Sequence, residues 1–181
     1  GFINSQMIYT NPVTNLFVLA NPNQPTTASG LNAATPESKP DKLVRAYPFK
    51  QNVYMFGERT VEPYWNSGQG NPPLDRIDGQ IFEIGLGAIH SVANTDQFMY
   101  WLGDDGAVYQ AVGGQRQRIS TTAISHAIES YETISDAIGY TFTFEGINFY
   151  QLTFPTANKT WCLNESLAKN GWFEISSGTN G

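Results

Sequence analysis

Short apolar and mixed runs, each closed by a turn signal, follow one another along most of the chain, the pattern of antiparallel β-strands. The first forty residues are the exception. Asn11-Pro12, Asn21-Pro22 and Gln24-Pro25 interrupt them around one apolar run, Leu16 to Ala20. From Thr26 to Pro40 there is almost nothing to bury, so residues 1–40 read as an irregular N-terminal segment with one or two strands and a loop. Past Asp41 strands are expected at Lys42 to Tyr47, Val53 to Phe56 and Thr60 to Trp65. A Gly/Pro-rich loop, Asn66 to Pro73, separates these from further strands at Gln80 to Ile84, Ala88 to Val92, Gln97 to Leu102, Ala107 to Val112 and Arg116 to Ile119. Asp105-Gly106 and Gly113-Gly114 mark hairpin turns, because glycine tolerates the positive φ such turns require.

One stretch changes period. Ala123, Ile124, Ala127, Ile128 and Tyr131 recur at three and four residues, which predicts a helix over Thr122 to Tyr131 with Thr121 or Thr122 as its cap. A further turn is expected at Ser135 to Ile138, ended by Gly139. Four strands then close the pattern, at Tyr140 to Phe144, Ile147 to Phe154, Thr160 to Asn164 and Trp172 to Ser176, joined by turns at Glu145-Gly146, Ala157-Asn158 and Asn170-Gly171.

The strands repeat. Phe98 to Leu102 occupies the slot of Phe149 to Thr153, and Val53 to Phe56 the same slot earlier, at a spacing of about 45 to 50 residues, the length of one propeller blade. Phe98 to Leu102 is apolar on both parities, as a strand covered on both faces must be, between two other blades or, as the competing explanation, in a sandwich interior. The fold class is therefore all-β: antiparallel four-stranded meanders, β-propeller-like blades, and one short helix. Residues 41–181 divide into a partial blade at 41–80, a blade plus helix at 81–139 and a blade at 140–178. A closed propeller takes at least about four blades, so the chain reads as a partial propeller. Phe98, Tyr100, Tyr150, Leu152 and Trp161 are the expected core.

Composition sharpens this picture. Only 14 % of residues are charged and 13 % are aromatic, which excludes a disordered chain. A chain so poor in charge wets its surface with Asn, Gln, Ser and Thr, and buries part of it against partners. Ten basic against 16 acidic residues give a net charge of -6, the wrong sign for binding DNA by neutralising phosphates. No apolar run reaches the length of about 20 residues that a membrane helix needs. The start on Gly1 in place of Met reads as an excerpt of a longer product.

Candidate chemistry falls away residue by residue. Cys162 is the sole cysteine and reads as a packed hydrophobe; with His90 and His126 it makes too small a ligand set for zinc. Asp104-Asp105 reads as hairpin chemistry, and Glu58 and Glu62 as solvated carboxylates. His90-Ser91, as strand neighbours, point to opposite faces and cannot form a base and nucleophile. Gly85 to His90 starts like a dinucleotide fingerprint but lacks the third glycine and the following helix. No catalytic residue, metal ligand or cofactor site emerges.

The ordered set of motifs is more specific than any one of them. Ser38 to Asp41 leads into Asn52 to Trp65 (NVYMFGERTVEPYW), followed by Arg76 to Gln80, Gly85 to Ala93 (GLGAIHSVA) and Tyr100 to Gln110 (YWLGDDGAVYQ). Ile119 to Tyr131 (ISTTAISHAIESY), Phe149 to Pro155 (FYQLTFP) and Thr160 to Cys162 complete it. This order resembles the packaged-DNA stabilisation proteins, the tail accessory or hub proteins, of short-tailed bacteriophages. The resemblance covers roughly residues 38 to 176. It implies a non-enzymatic virion protein, made in the host cytoplasm and placed in the tail at the portal vertex, that closes the portal channel. It implies as partners other copies of itself in a ring, portal-side and distal tail proteins, and genomic DNA only as channel cargo. Family members are longer than this chain. The rival reading is a carbohydrate-binding or depolymerase module of a phage tail, with Tyr64 and Trp65 as a sugar platform beside Glu58 or Glu62. A cellular propeller scaffold is a third.

Overall fold

In the computed structural model, which describes residues 1–11, 13, 15–36, 41–70 and 72–176, sixteen strands form four four-stranded antiparallel sheets, each a meander in chain order. The chain is built as two compact units, Gly1–Leu86 and Gly87–Gly181, with two sheets in each.

In the first unit, β1 (Phe2–Ile3), β2 (Gln6–Asn11), β3 (Leu16–Leu19) and β4 (Ala33–Ala34) make one sheet. The second consists of β5 (Leu43–Phe49), β6 (Asn52–Gly57), β7 (Val61–Asn66) and β8 (Leu74–Arg76). Their inner faces share one core, in which Ile8, Phe17 and Leu19 meet Leu43, Met55 and Tyr64. The ring edge of Phe17 stands against Tyr64 at 5.9 Å.

In the second unit, β9 (Ala93–Asn94), β10 (Met99–Leu102), β11 (Val108–Val112) and β12 (Gln115–Arg118) form the third sheet. The fourth is β13 (Ile138–Phe144), β14 (Ile147–Phe154), β15 (Lys159–Asn164) and β16 (Trp172–Ile175). Helix α1 (Thr122–Glu129) joins them, capped by the Thr121 hydroxyl, which accepts from the Ile124 amide at 3.3 Å. Its inward side carries Ile124, Ser125 and Ile128 into the core, while Ala123 is exposed. Tyr100 and Tyr150 stack at 4.8 Å with their planes 16° apart and lock the two sheets face to face. The strand slots aligned from the sequence correspond: β6, β10 and β14 are each the second strand of their sheet. All four residues of β10 are fully buried, so this strand is covered on both faces.

The chain departs from its sequence pattern in several places. Residues 2–34 hold a complete sheet where one or two strands are expected, so there are four meanders, not two and a part. Its first hairpin turns on Asn4 and Ser5, both at positive φ, a geometry that glycine usually announces. Residues 37–40 of the expected loop, and 177–178 of the last expected blade, lie outside the described residues. Gln80 to Ile84 and Ala88 to Val92 are not strands: apart from single bridges at Phe82 and His90 they have no ladder, and Ala88–Ser91 is a turn closed by the Ser91 amide on the Ala88 carbonyl. Leu74–Arg76 pairs as an edge strand directly after the loop at 66–73. Gly139 does not end a helical turn but lies within β13. Of the expected core, Tyr100, Tyr150 and Leu152 are buried, whereas Phe98 and Trp161 are only half-buried.

Candidate functional site

The carboxylates separate into distinct environments. Asp105 serves the β10–β11 turn: its oxygens accept from the Ala107 amide at 3.0 Å and the Tyr109 hydroxyl at 2.7 Å. Burial, with that bond to Asp105, pushes the Tyr109 phenol up to about 12. Glu58 is exposed, 3.9 Å from the Lys42 ammonium. Glu62 is not solvated: it is only 2 % exposed. Residues 62 and 64 share a parity on β7, so both side chains take the same face, where the Tyr64 hydroxyl donates to Glu62 at 3.2 Å. Trp65, on the opposite parity, is exposed. Tyr64 and Trp65 therefore do not form one platform beside a glutamate pair.

A carboxylate to which the sequence draws no attention is heavily engaged. Glu165, following β15, accepts from the Tyr100 hydroxyl at 2.7 Å and Thr95 at 2.8 Å through one oxygen, and from the Asn148 amide at 3.3 Å through the other. The four residues come from both sheets of the second unit and share no motif. Desolvation and this bond raise Tyr100 far above the ordinary phenol range, so it stays a neutral donor. Three donors drawn from two sheets give the carboxylate a bracing role.

Ser91 is a second brace. Its hydroxyl donates to the Ala88 carbonyl at 2.8 Å and accepts from the Leu102 amide at 3.1 Å, while its carbonyl accepts from the Tyr150 hydroxyl at 2.7 Å. His90 beside it is exposed, on a turn and not on the strand expected there. His126 is exposed on α1, 3.9 Å from Glu129. Cys162 is fully buried in β15, and burial pushes its thiol up to about 11. Among the described residues no group of three or more His, Cys, Asp or Glu can hold a metal ion, and no helix is long and apolar enough to cross a membrane.

The most distinctive surface is the outer side of the β13–β16 sheet. Strand alternation sends Tyr150, Leu152 and Phe154 inward and turns Tyr140, Phe142 and Phe144 outward. Phe142 stacks on Phe149 at 5.1 Å with planes 10° apart, and Phe149 meets the edge of Phe173 at 6.4 Å. Phe144 is 62 % exposed and Phe173 45 %. Ile147 to Phe154 carries the signal for this face, since its apolar residues fall on both parities. Such a face suits protein contact better than chemistry.

Compared with known families, the chain matches over residues 2–181 the phage-stabilisation family model described as Bacteriophage P22 Gp10, beta-propeller. No individual curated protein matches it.

Proposed function

Since this chain belongs to the phage-stabilisation family of β-propeller structural proteins, those that stabilise packaged phage DNA, we propose that it serves in the tail hub that closes the portal channel after packaging. The observation that carries this reading is the family match across residues 2–181. In this role the protein sits at the portal vertex of the virion, contacts further copies of itself and the tail proteins on either side, and performs no chemical step. Stacked blades with few charges and open apolar faces are the material of such an assembly.

Charge suggests how the genome is held. A hub must retain DNA yet release it, and each phosphate neutralised by Lys or Arg adds salt-dependent grip. The chain has 10 basic residues against 16 acidic. Arg118 of its close arginine pair donates to Ser125 at 2.8 Å, and Arg116 lies 5.5 Å over the Tyr109 ring. Retention is then steric, by protein closing the channel. Titration of labelled duplex at low salt tests this. Binding weaker than about micromolar is the expected result; tighter binding with a salt slope of several phosphate contacts would make the protein a DNA clamp instead.

A further inference from the structure

Strand β12 is the outer strand of its sheet, paired with β11 on one side and with no strand of the described residues on the other. It is internal to the chain, between β11 and α1, and a strand edge is the side that blades packed face to face leave open. Among the described residues it is the one strand exposed at every position.

The ladder fixes which backbone groups point outward. Gly113-Gly114 is a two-residue turn, and across it Val112 faces Gln115. Such a turn hydrogen-bonds its flanking pair, and bonded pairs alternate along an antiparallel ladder. Gln110 with Gln117 is then a bonded pair. The series continues at Ile119, whose amide donates to the Val108 carbonyl at 2.9 Å. Arg116 and Arg118 take the intervening positions, so their amides and carbonyls project from the free edge. Their side chains, two residues apart, share one face. Arg118 is held there by its bond to Ser125 at 2.8 Å, and Arg116 lies 5.5 Å over the Tyr109 ring. Neither guanidinium has a carboxylate partner among the described residues.

We propose that β12 takes up an acidic, extended segment of another protein as a fifth strand, with carboxylates at alternate positions opposite Arg116 and Arg118. Main-chain bonds to these two residues supply the attachment, and their guanidiniums choose the side chains. Arginines on an edge also guard it against unwanted pairing, and here the guard is selective. A second copy of β12 would set arginine against arginine, and like charges directly opposite destabilise a pair. Glutamate or aspartate at every second position meets both. The inference goes beyond the hub reading, which assigns no partner to this edge.

The test is an NMR titration of the isotope-labelled chain, at low salt to limit screening. The probe is a seven-residue peptide alternating threonine and glutamate, acetylated and amidated at its ends. The expected result is a dissociation constant of about 1 mM or tighter, with shifts centred on residues 115–118 and slowed solvent exchange of the Arg116 and Arg118 amides. Arg116→Glu with Arg118→Glu should weaken this peptide about tenfold or more and admit an alternating threonine–lysine peptide in its place. Arg116→Glu alone, at an exposed side chain, should show a smaller change of the same sign and serves if the double variant does not fold. Failure of the glutamate peptide to bind the wild-type chain at several millimolar overturns the proposal. Equal binding by a fully N-methylated glutamate peptide, which cannot add as a strand, overturns it too. So does a short DNA duplex that shifts the same residues at lower concentration, which would make the pair a phosphate site. Peptide binding leaves DNA retention by filled heads to be measured separately, so this proposal and the hub reading fail by different results.

Discussion

Replacing Tyr100 by alanine should lower the unfolding free energy by about 4 kcal/mol, among the largest losses available to a single substitution in this chain. The ring is fully buried, stacks on Tyr150 at 4.8 Å, and its hydroxyl donates to Glu165 at 2.7 Å. Alanine removes the stack, opens a cavity between two sheets and takes away one of the donors that hold Glu165. Tyr100→Phe keeps the ring and should cost only about 1–2 kcal/mol, the share of the hydrogen bond. Urea unfolding followed by tryptophan fluorescence separates the two. The same phenol makes the fold sensitive to alkali. Tyr100 titrates above its ordinary value of 10.0 in the folded chain, and Tyr109 is pushed up to about 12, chiefly because both are buried. Above pH 10 the unfolded chain loses these protons and the folded chain keeps them, so the unfolded state binds fewer protons and stability falls as pH rises. The melting temperature should hold steady from pH 7 to about 9.5, decline above about pH 10, and decline less steeply in Tyr100→Phe.

Gly139→Val should cost about 3 kcal/mol or more, by crowding and not by loss. Gly139 lies in β13 where the strand passes the Ala88–Ser91 turn, its amide donating to the His90 carbonyl at 2.9 Å. A Cβ at this position would run into the Ser91 carbonyl oxygen and come within 2.9 Å of the Tyr150 hydroxyl. The obstacle is backbone, so no rotamer relieves it; the turn or the strand must move, breaking the Ser91 brace. Gly30→Ala, where an added Cβ meets no atom within 4 Å, is the control and should change stability by under about 1 kcal/mol. Thermal unfolding by circular dichroism checks both.

The two positions also show how far the sequence could be read. The hairpins at Gly113-Gly114 and Glu145-Gly146 were legible because both residues of each turn take positive φ and a glycine announces it. Strand β14 was legible to the residue, Ile147–Phe154, because a turn signal stands at each end. The sheet at residues 2–34 was not, because Asn4, Ser5 and Asn15 take positive φ without a glycine and β4 is two residues long. Gly139 read as a stop signal, although it is glycine because another backbone crosses it, a tertiary fact with no local mark. Glu165 is invisible for the same reason: its donors Thr95, Tyr100 and Asn148 lie 70, 65 and 17 residues away. Glu62 misled in the opposite way, since its spacing from Glu58 suggests a surface pair until strand parity places it with Tyr64.

The outward row on β13–β16 follows from that parity argument taken one strand further, and it bears on the hub role. A blade with both faces apolar is an intermediate piece of a stack. The family is a β-propeller by description, an architecture in which blades pack face to face around a central axis.

The reading of this chain as part of a channel closure is tested most directly by nuclease protection of packaged DNA. Filled phage heads would be prepared with the intact protein and without it, then challenged with DNase. The account predicts that heads lacking the protein lose their DNA to the enzyme and that adding the intact protein to freshly filled heads restores protection. Heads that keep their genome equally well without the protein would contradict the account.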